Sequence, residues 1–187
     1  MRPEIVLAFD TSAAHCAAAL LSTDRSFTKV EMMAKGQAER LIPMLDELLA
    51  EAKVTWPEVG AIAVGTGPGN FTGVRIAVSL ARGLALGLGV PVIGVTGFDA
   101  GGPENTVAIP APRGQVYLKS PGRSAEIVDL APDGAVHLSD MPVADMIEAL
   151  ARVGRERATL PQPRPAPFYL RGADAAPASD RPPVILP

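Results

Sequence analysis

Short apolar runs separated by turn-forming residues organise the N-terminal half of the chain. Residues 5–9 form one run and residues 16–22 a second, each too short for a helix and apolar enough to be covered on both faces, so both are predicted to be buried strands. Asp10, Thr11 and Ser12 lie between them as a turn whose side chains can bond nearby backbone. A third strand around residues 28–33 completes a meander. From Gln37 to Ala52 the spacing becomes helical, with Leu41, Leu45, Leu48 and Ala52 on one stripe, Ile42 and Leu49 beside it, and Pro43 marking a start nearby or a kink. Beyond Trp56 and Pro57 come a strand over residues 61–64, a glycine-rich turn, a helix over 74–88 and a strand over 92–95. The predicted order is β-β-β-α-β-α-β.

The second of these helices is apolar almost all round. Its charges, Arg75 and Arg82, are seven residues apart and share one face. A sheet covers one side of such a helix, so the other needs a second element or another subunit, and the small residues Ala77, Ser79, Ala81, Gly83, Ala85 and Gly87 permit close approach of a neighbouring helix. After Phe98 the composition shifts. Strands are expected at residues 107–111, 115–119 and 125–130, and a helix over 143–155 with Met146, Ile147, Leu150 and Val153 as its apolar face. Residues 161–187 contain eight prolines, which predicts an extended or partly disordered tail, with residues 168–171 able to dock as a short edge strand.

Composition narrows the class. At 187 residues the chain can build one good core or two small ones, and 48% hydrophobic residues with 4% aromatics suits layered α/β packing. A single cysteine, Cys16, in an apolar run reads as a small buried hydrophobe and excludes a disulfide scaffold. Residues 1–4 run straight into the first strand, and the apolar stretch 74–95 is broken by Arg75, Arg82 and Pro91, so a soluble cytoplasmic protein without export signal or membrane span is expected. The net charge of −3 lacks the basic footprint of stand-alone nucleic-acid binding.

The chemically suggestive stretch is Gly65-Thr66-Gly67-Pro68-Gly69-Asn70-Phe71-Thr72-Gly73, a glycine turn between strand and helix. Glycines there allow close backbone approach, and a helix N-terminus favours an anion. Two known phosphate motifs fail by position. Gly73 is followed by Val74 and Arg75 rather than Lys-Ser/Thr, and Asn70 stands where a dinucleotide fingerprint needs glycine, with no Asp or Glu between Glu58 and Asp99. Two readings stay open: a tight packing turn, or a residual phosphate site using Asp10, Thr11, Ser12, Gly67, Gly69, Thr72 and Gly73. His15 and His137 are far apart in sequence with no metal-ligand spacing, and no Ser-His-Asp constellation can be assembled.

The segments Ala8-Phe9-Asp10-Thr11-Ser12, Gln37-Ala38-Glu39-Arg40-Leu41-Ile42-Pro43-Met44 and Gly67-Pro68-Gly69-Asn70-Phe71-Thr72-Gly73-Val74-Arg75 resemble, in order and spacing, the bacterial TsaB (YeaZ) family. Arg113-Gly114-Gln115-Val116-Tyr117 and Tyr169-Leu170-Arg171 with Asp174-Ala175 add support. The resemblance implies an actin/ribonuclease-H-like (ASKHA) α/β fold with two lobes, residues 1–98 and a shortened 99–187. It also implies a non-catalytic scaffold that pairs with TsaD, with TsaE joining, in threonylcarbamoylation of the adenosine 3′ of the anticodon in ANN-reading tRNAs. Alone, such a protein would be a homodimer. No cofactor would be tightly bound, weak nucleotide binding would remain open, ATP and metal would be used by the partner subunits, and tRNA would be met through the complex.

In that family the two helices form the subunit interface. The expected contacts here are Gln37, Arg40, Leu41, Met44, Leu45 and Leu48 on the first and Arg75, Val78, Ser79 and Arg82 on the second. Gln37 replaces a usual histidine, a helix after Val95 is missing, and Pro110 stands where aspartate is common. The last two weaken the case for a ligand cleft between the lobes. A small-molecule kinase of the same superfamily is the alternative, with Asp10 and the glycine loop as phosphate contacts, and a protease ranks last.

Overall fold

The computed structural model describes residues 3–170. Among the described residues a first sheet has the order β3-β2-β1-β4-β5, built from β1 (Val6–Asp10), β2 (His15–Leu21), β3 (Ser26–Met32), β4 (Ala61–Gly65) and β5 (Val92–Val95). β1, β2 and β3 form the antiparallel meander, while β4 and β5 run parallel to β1. Helix α1 (Gln37–Ala52) links β3 to β4, and α2 (Phe71–Leu88) is the crossover between β4 and β5. This is the ribonuclease-H-like order that the resemblance implies.

Alternation along β1 explains why the N-terminal runs carry almost no polar residues. Leu7 and Phe9 face α1 and α2, whereas Val6 and Ala8 face the opposite side, and all four are fully buried. That opposite side is covered by α4 (Val143–Arg157), which packs on β1, β2 and β4. The sequence reading placed this helix in the second lobe; it belongs to the first. The alanines Ala8, Ala17, Ala19, Ala61 and Ala63 leave room for it, and at Gly154 a Cβ would stand 2.4 Å from that of Ala63. Ile147 and Leu150 supply the larger side chains of the same layer.

α2 begins at Phe71, three residues before the expected start, because the Asn70 side chain accepts from the Gly73 amide at 2.9 Å and caps the helix. α1 runs on through Pro43. By length and composition α2 could cross a membrane. Here it joins two parallel strands of one sheet and buries Val74, Ala77, Val78, Ala81 and Ala85, which makes it a core crossover.

A one-turn helix, α3 (Gly97–Ala100), follows β5 where the sequence reading found none. The second sheet has the order β8-β7-β6-β9, from β6 (Val107–Pro110), β7 (Val116–Lys119), β8 (Glu126–Val128) and a short parallel strand β9 (Val136–His137) that the sequence did not signal. Phe98, Val107, Ile109 and Tyr117 form its small core. Asp99 ties this region to α4 through Arg157, 2.7 Å away. Residues 161–170 form neither helix nor strand, and Arg171 of the expected edge strand lies outside the described residues.

Candidate functional site

The glycine loop lies directly against the turn after β1. A Cβ on Gly65 would stand 1.8 Å from Asp10 Oδ1, one on Gly69 2.3 Å from the Ser12 carbonyl, and one on Gly73 1.9 Å from the Thr11 carbonyl. The Thr11 hydroxyl donates to the Gly73 carbonyl at 2.7 Å and the Asn70 amide donates to the Ser12 carbonyl at 2.6 Å. Gly69 and Gly73 are therefore accounted for by backbone contact between two loops, and Gly65 by the side chain of Asp10. Loop-to-loop contact at Gly69 and Gly73 favours the packing reading of these two glycines, while Ser12, Gly67 and Gly69 also border open space.

Asp10 is 2% exposed. Its Oδ2 accepts from the Ser12 amide at 2.9 Å, the Ser12 hydroxyl at 2.8 Å and His15 Nε2 at 2.8 Å. The first two contacts are the turn-capping role read from the sequence. The histidine was missed, because only the β1–β2 register brings residue 15 back over residue 10. Asp10 sits between serine and histidine, whereas nucleophilic catalysis needs the histidine in the middle, so these three residues do not form a triad. Among the described residues no group of three His, Cys, Asp or Glu could hold a metal. Cys16 is buried on β2, and desolvation, reinforced by Glu31 and Asp10, pushes its thiol up to about 11, away from nucleophilic use.

A cavity of about 270 Å³ opens between the two sheets, with Asp10, Ser12 and His15 on one side and Ile109, Leu138 and Met141 on the other. The weakened expectation of an inter-lobe cleft is corrected here. α4, the element misplaced in sequence, supplies Met146 and Leu150 to this wall. Among the described residues that line it there is no Lys or Arg.

The proposed partner face divides sharply. Leu41, Met44, Leu45 and Leu48 are fully buried beneath α1, and Val78 is 2% exposed beneath α2, so these five expected contact residues belong to this chain's own core. Arg75 and Ser79 are exposed and Gln37, Arg40 and Arg82 half-buried. The Gln37 amide donates to the Met33 carbonyl at 3.1 Å. Arg40 is held by its own chain, through Nε to Glu31 Oε2 and Nη1 to Glu47 Oε1, both at 2.8 Å, while Lys29 lies 2.7 Å from Glu47. The hydrogen bonds from Arg40 lower the Glu31 carboxyl, those from Arg40 and Lys29 bring Glu47 down to about 2, and the two carboxylates raise Arg40.

Outward-facing apolar side chains missing from the expected set lie nearby. Leu86 on α2 is 83% exposed and Ile42 on α1 is 47% exposed. A shallow groove between the two helices is lined by Ile42, Trp56, Gly83, Leu84, Gly87 and Leu88. At the other end of α2 the tail returns. Tyr169 stacks on Phe71 with ring centres 4.9 Å apart, and its hydroxyl accepts from Arg75 Nε at 3.0 Å. The Arg75 guanidinium in turn sits 3.7 Å over the Phe71 ring.

Similarity to known proteins matches this architecture. Residues 30–178 match the family described as "TsaD: tRNA N6-adenosine threonylcarbamoyltransferase". The tRNA threonylcarbamoyladenosine biosynthesis protein TsaB of Haemophilus influenzae is 38% identical over 122 residues, which cover 60% of this chain and 52% of that protein. The chain thus spans about half the length of this curated relative. Two solved structures from Pseudomonas aeruginosa align at 30% identity. One, described as an uncharacterized protein with similarity to peptidase YEAZ, has a TM-score of 0.71 and covers 90% of this chain and 100% of its own; the other, YeaZ, has 0.64 with 82% and 93%. With the ribonuclease-H-like sheet, the loop-packed glycine motif and these likenesses together, the chain belongs to the TsaB (YeaZ) family.

Proposed function

We propose that this chain is the non-catalytic scaffold subunit of the bacterial machinery that makes threonylcarbamoyladenosine in tRNA. In this reading it acts in the cytoplasm and pairs with TsaD, and TsaE joins the pair. The modified base is the adenosine 3′ of the anticodon in ANN-reading tRNAs, met through the complex, and the partner subunits use the ATP and metal. Without TsaD the chain forms a homodimer.

The observation that carries this reading is the outward face of α1 and α2, where Leu86 is 83% exposed and Ile42, 47% exposed, lines a groove with Gly83 and Gly87. At both glycines a Cβ would meet nothing within 4 Å, so another helix can approach the α2 backbone there. The names of the relatives supply the pathway. A phosphotransferase is less well supported, since the carboxylate at the cleft is saturated on one oxygen and the described cleft lining holds no Lys or Arg.

The test is to mix the protein with TsaD from the same organism and measure association by size-exclusion chromatography with light scattering, for wild type and for Ile42→Glu with Leu86→Glu. Leu41 and Val78 are unsuitable targets because both are buried. A stoichiometric complex that is lost in the variant, with circular dichroism unchanged, supports the scaffold and its face. No complex with folded wild type overturns it.

A further inference from the structure

We propose that the cavity between the two sheets is a binding site for a small organic cation, a primary ammonium group carried on a compact apolar body. The space of about 270 Å³ is just below the usual size of ligand pockets, roughly 300–1,000 Å³, and suits a single-ring or short branched ligand.

Its chemistry is uneven. Asp10, a 2% exposed carboxylate, stands at one side. Oδ2 is engaged by three donors, whereas Oδ1 accepts no hydrogen bond among the described residues. Oδ1 lies over Gly65, another lining residue, where any Cβ would come within 1.8 Å of it. The glycine thus leaves this oxygen uncovered. His15 Nε2 lies against Oδ2 and leaves Oδ1 facing the cavity.

The opposite wall is mainly apolar, made by Ile109, Leu138, Met141, Met146 and Leu150 with Ser139 among them. An anion entering here meets a carboxylate and no Lys or Arg in the described lining, so phosphate esters are disfavoured. A neutral apolar ligand fills the wall but leaves Oδ1 desolvated and unpaired, which is costly. An ammonium N–H donating to Oδ1 makes a charge-assisted bond while its carbon body covers the wall. Among these three ligand classes the cation alone satisfies both sides.

This inference is independent of the scaffold reading, because the cavity lies away from the groove of α1 and α2. The test uses isothermal titration calorimetry on the full chain with benzylamine, its neutral counterpart benzyl alcohol, and Mg-ATP. Benzylamine is expected to bind one per chain and roughly tenfold or more tighter than the alcohol, the margin of one charge-assisted hydrogen bond. Asp10→Asn should abolish that preference. Met141→Trp, placed at the half-buried rim, should abolish binding while circular dichroism shows the fold retained. If Asp10→Asn fails to fold, the amine-to-alcohol ratio and Met141→Trp decide alone. Equal affinity for the alcohol, binding that survives Met141→Trp, no amine binding up to about 10 mM, or displacement of the amine by Mg-ATP would each overturn the proposal.

Discussion

The Thr11 carbonyl lies 1.9 Å from the position that a Cβ on Gly73 would occupy, while the Thr11 hydroxyl donates to the Gly73 carbonyl at 2.7 Å. Both contacts are between the turn after β1 and the first turn of α2, so the glycine motif joins two loops. A backbone oxygen cannot swing aside as a flexible side chain can, and one of the two elements must move if a methyl is added.

Gly73→Ala should therefore destabilise the protein by about 3 kcal/mol, the upper part of the range for overpacking. Gly83→Ala on the same helix should do the opposite. It is exposed and a Cβ there meets nothing within 4 Å, so helix propensity alone acts and about 0.5–1 kcal/mol of stability is gained. Urea unfolding of the two variants beside wild type checks the contrast, and equal effects would contradict the packing account.

Leu45 and Ile42, three residues apart on α1, should separate core from face. Leu45 is fully buried, and Leu45→Ala should cost about 2–5 kcal/mol. Ile42 is 47% exposed, and Ile42→Ala should stay within about 0.5 kcal/mol while weakening any complex made through the groove. Parallel denaturation and co-elution measurements on both variants test this.

These two residues also show what was legible in the sequence. Helical spacing groups Leu41, Leu45 and Leu48 correctly on one stripe of α1, but it cannot say whether the chain's own sheet or a partner covers that stripe. The structure assigns the stripe to the sheet and leaves Ile42 and Leu86 outside. The strands of the first sheet and the glycine turn could be read because their patterns are local. The position of α4 could not, since its apolar face would suit either lobe and what selects the first is the row of alanines on three strands. The Asp10–His15 contact was hidden for the same reason: a turn-capping aspartate is visible from its neighbours, whereas its histidine partner depends on how the two strands turn back.

Acid should loosen the attachment of α1 to β3. Hydrogen bonds from Arg40 and Lys29 take the Glu47 carboxyl from its usual 4.5 to about 2, and Arg40 lowers Glu31 as well. A depressed carboxylate stabilises the fold above its unfolded-state value and loses that contribution as pH falls towards the folded one, so the window runs from about 4.5 down to about 2. Glu47 is exposed and Lys29, Glu31 and Arg40 are half-buried at the surface, so the effect should be small and screened by salt. Glu47→Gln should flatten the decline in stability across that window relative to wild type, with convergence of the two curves at its acid end, measured by urea unfolding at low ionic strength.

Arg157 should matter to the joint between α4 and α3. Burial alone would raise the Asp99 carboxyl, but hydrogen bonds from Arg157 and from the Thr96 hydroxyl and amide outweigh it and hold the group low. Arg157→Met removes the 2.7 Å contact and leaves a partly buried carboxylate with its Thr96 donors only. A loss of about 1.5–3 kcal/mol is expected near neutral pH, shrinking as Asp99 is protonated in acid.

The tail contact gives a prediction local enough to separate docking from folding. The Phe168 amide donates to the Thr66 carbonyl at 2.8 Å, beside the glycine loop, and the next residue, Tyr169, stacks on Phe71 and accepts from Arg75. Since residues 161–170 pair with no strand, this amide bond depends on the neighbouring side-chain contacts to stay closed. Tyr169→Ala removes both the ring stack and the hydrogen bond, whereas Tyr169→Phe keeps the stack. Hydrogen exchange at the Phe168 amide should accelerate strongly in the alanine variant and modestly in the phenylalanine one. Exchange in the amides of β1 and β4 should be unchanged in both, because those strands pair with each other independently of the tail. Equal acceleration in the two variants would mean that the hydroxyl contact to Arg75, and not the stack on Phe71, holds the tail in place.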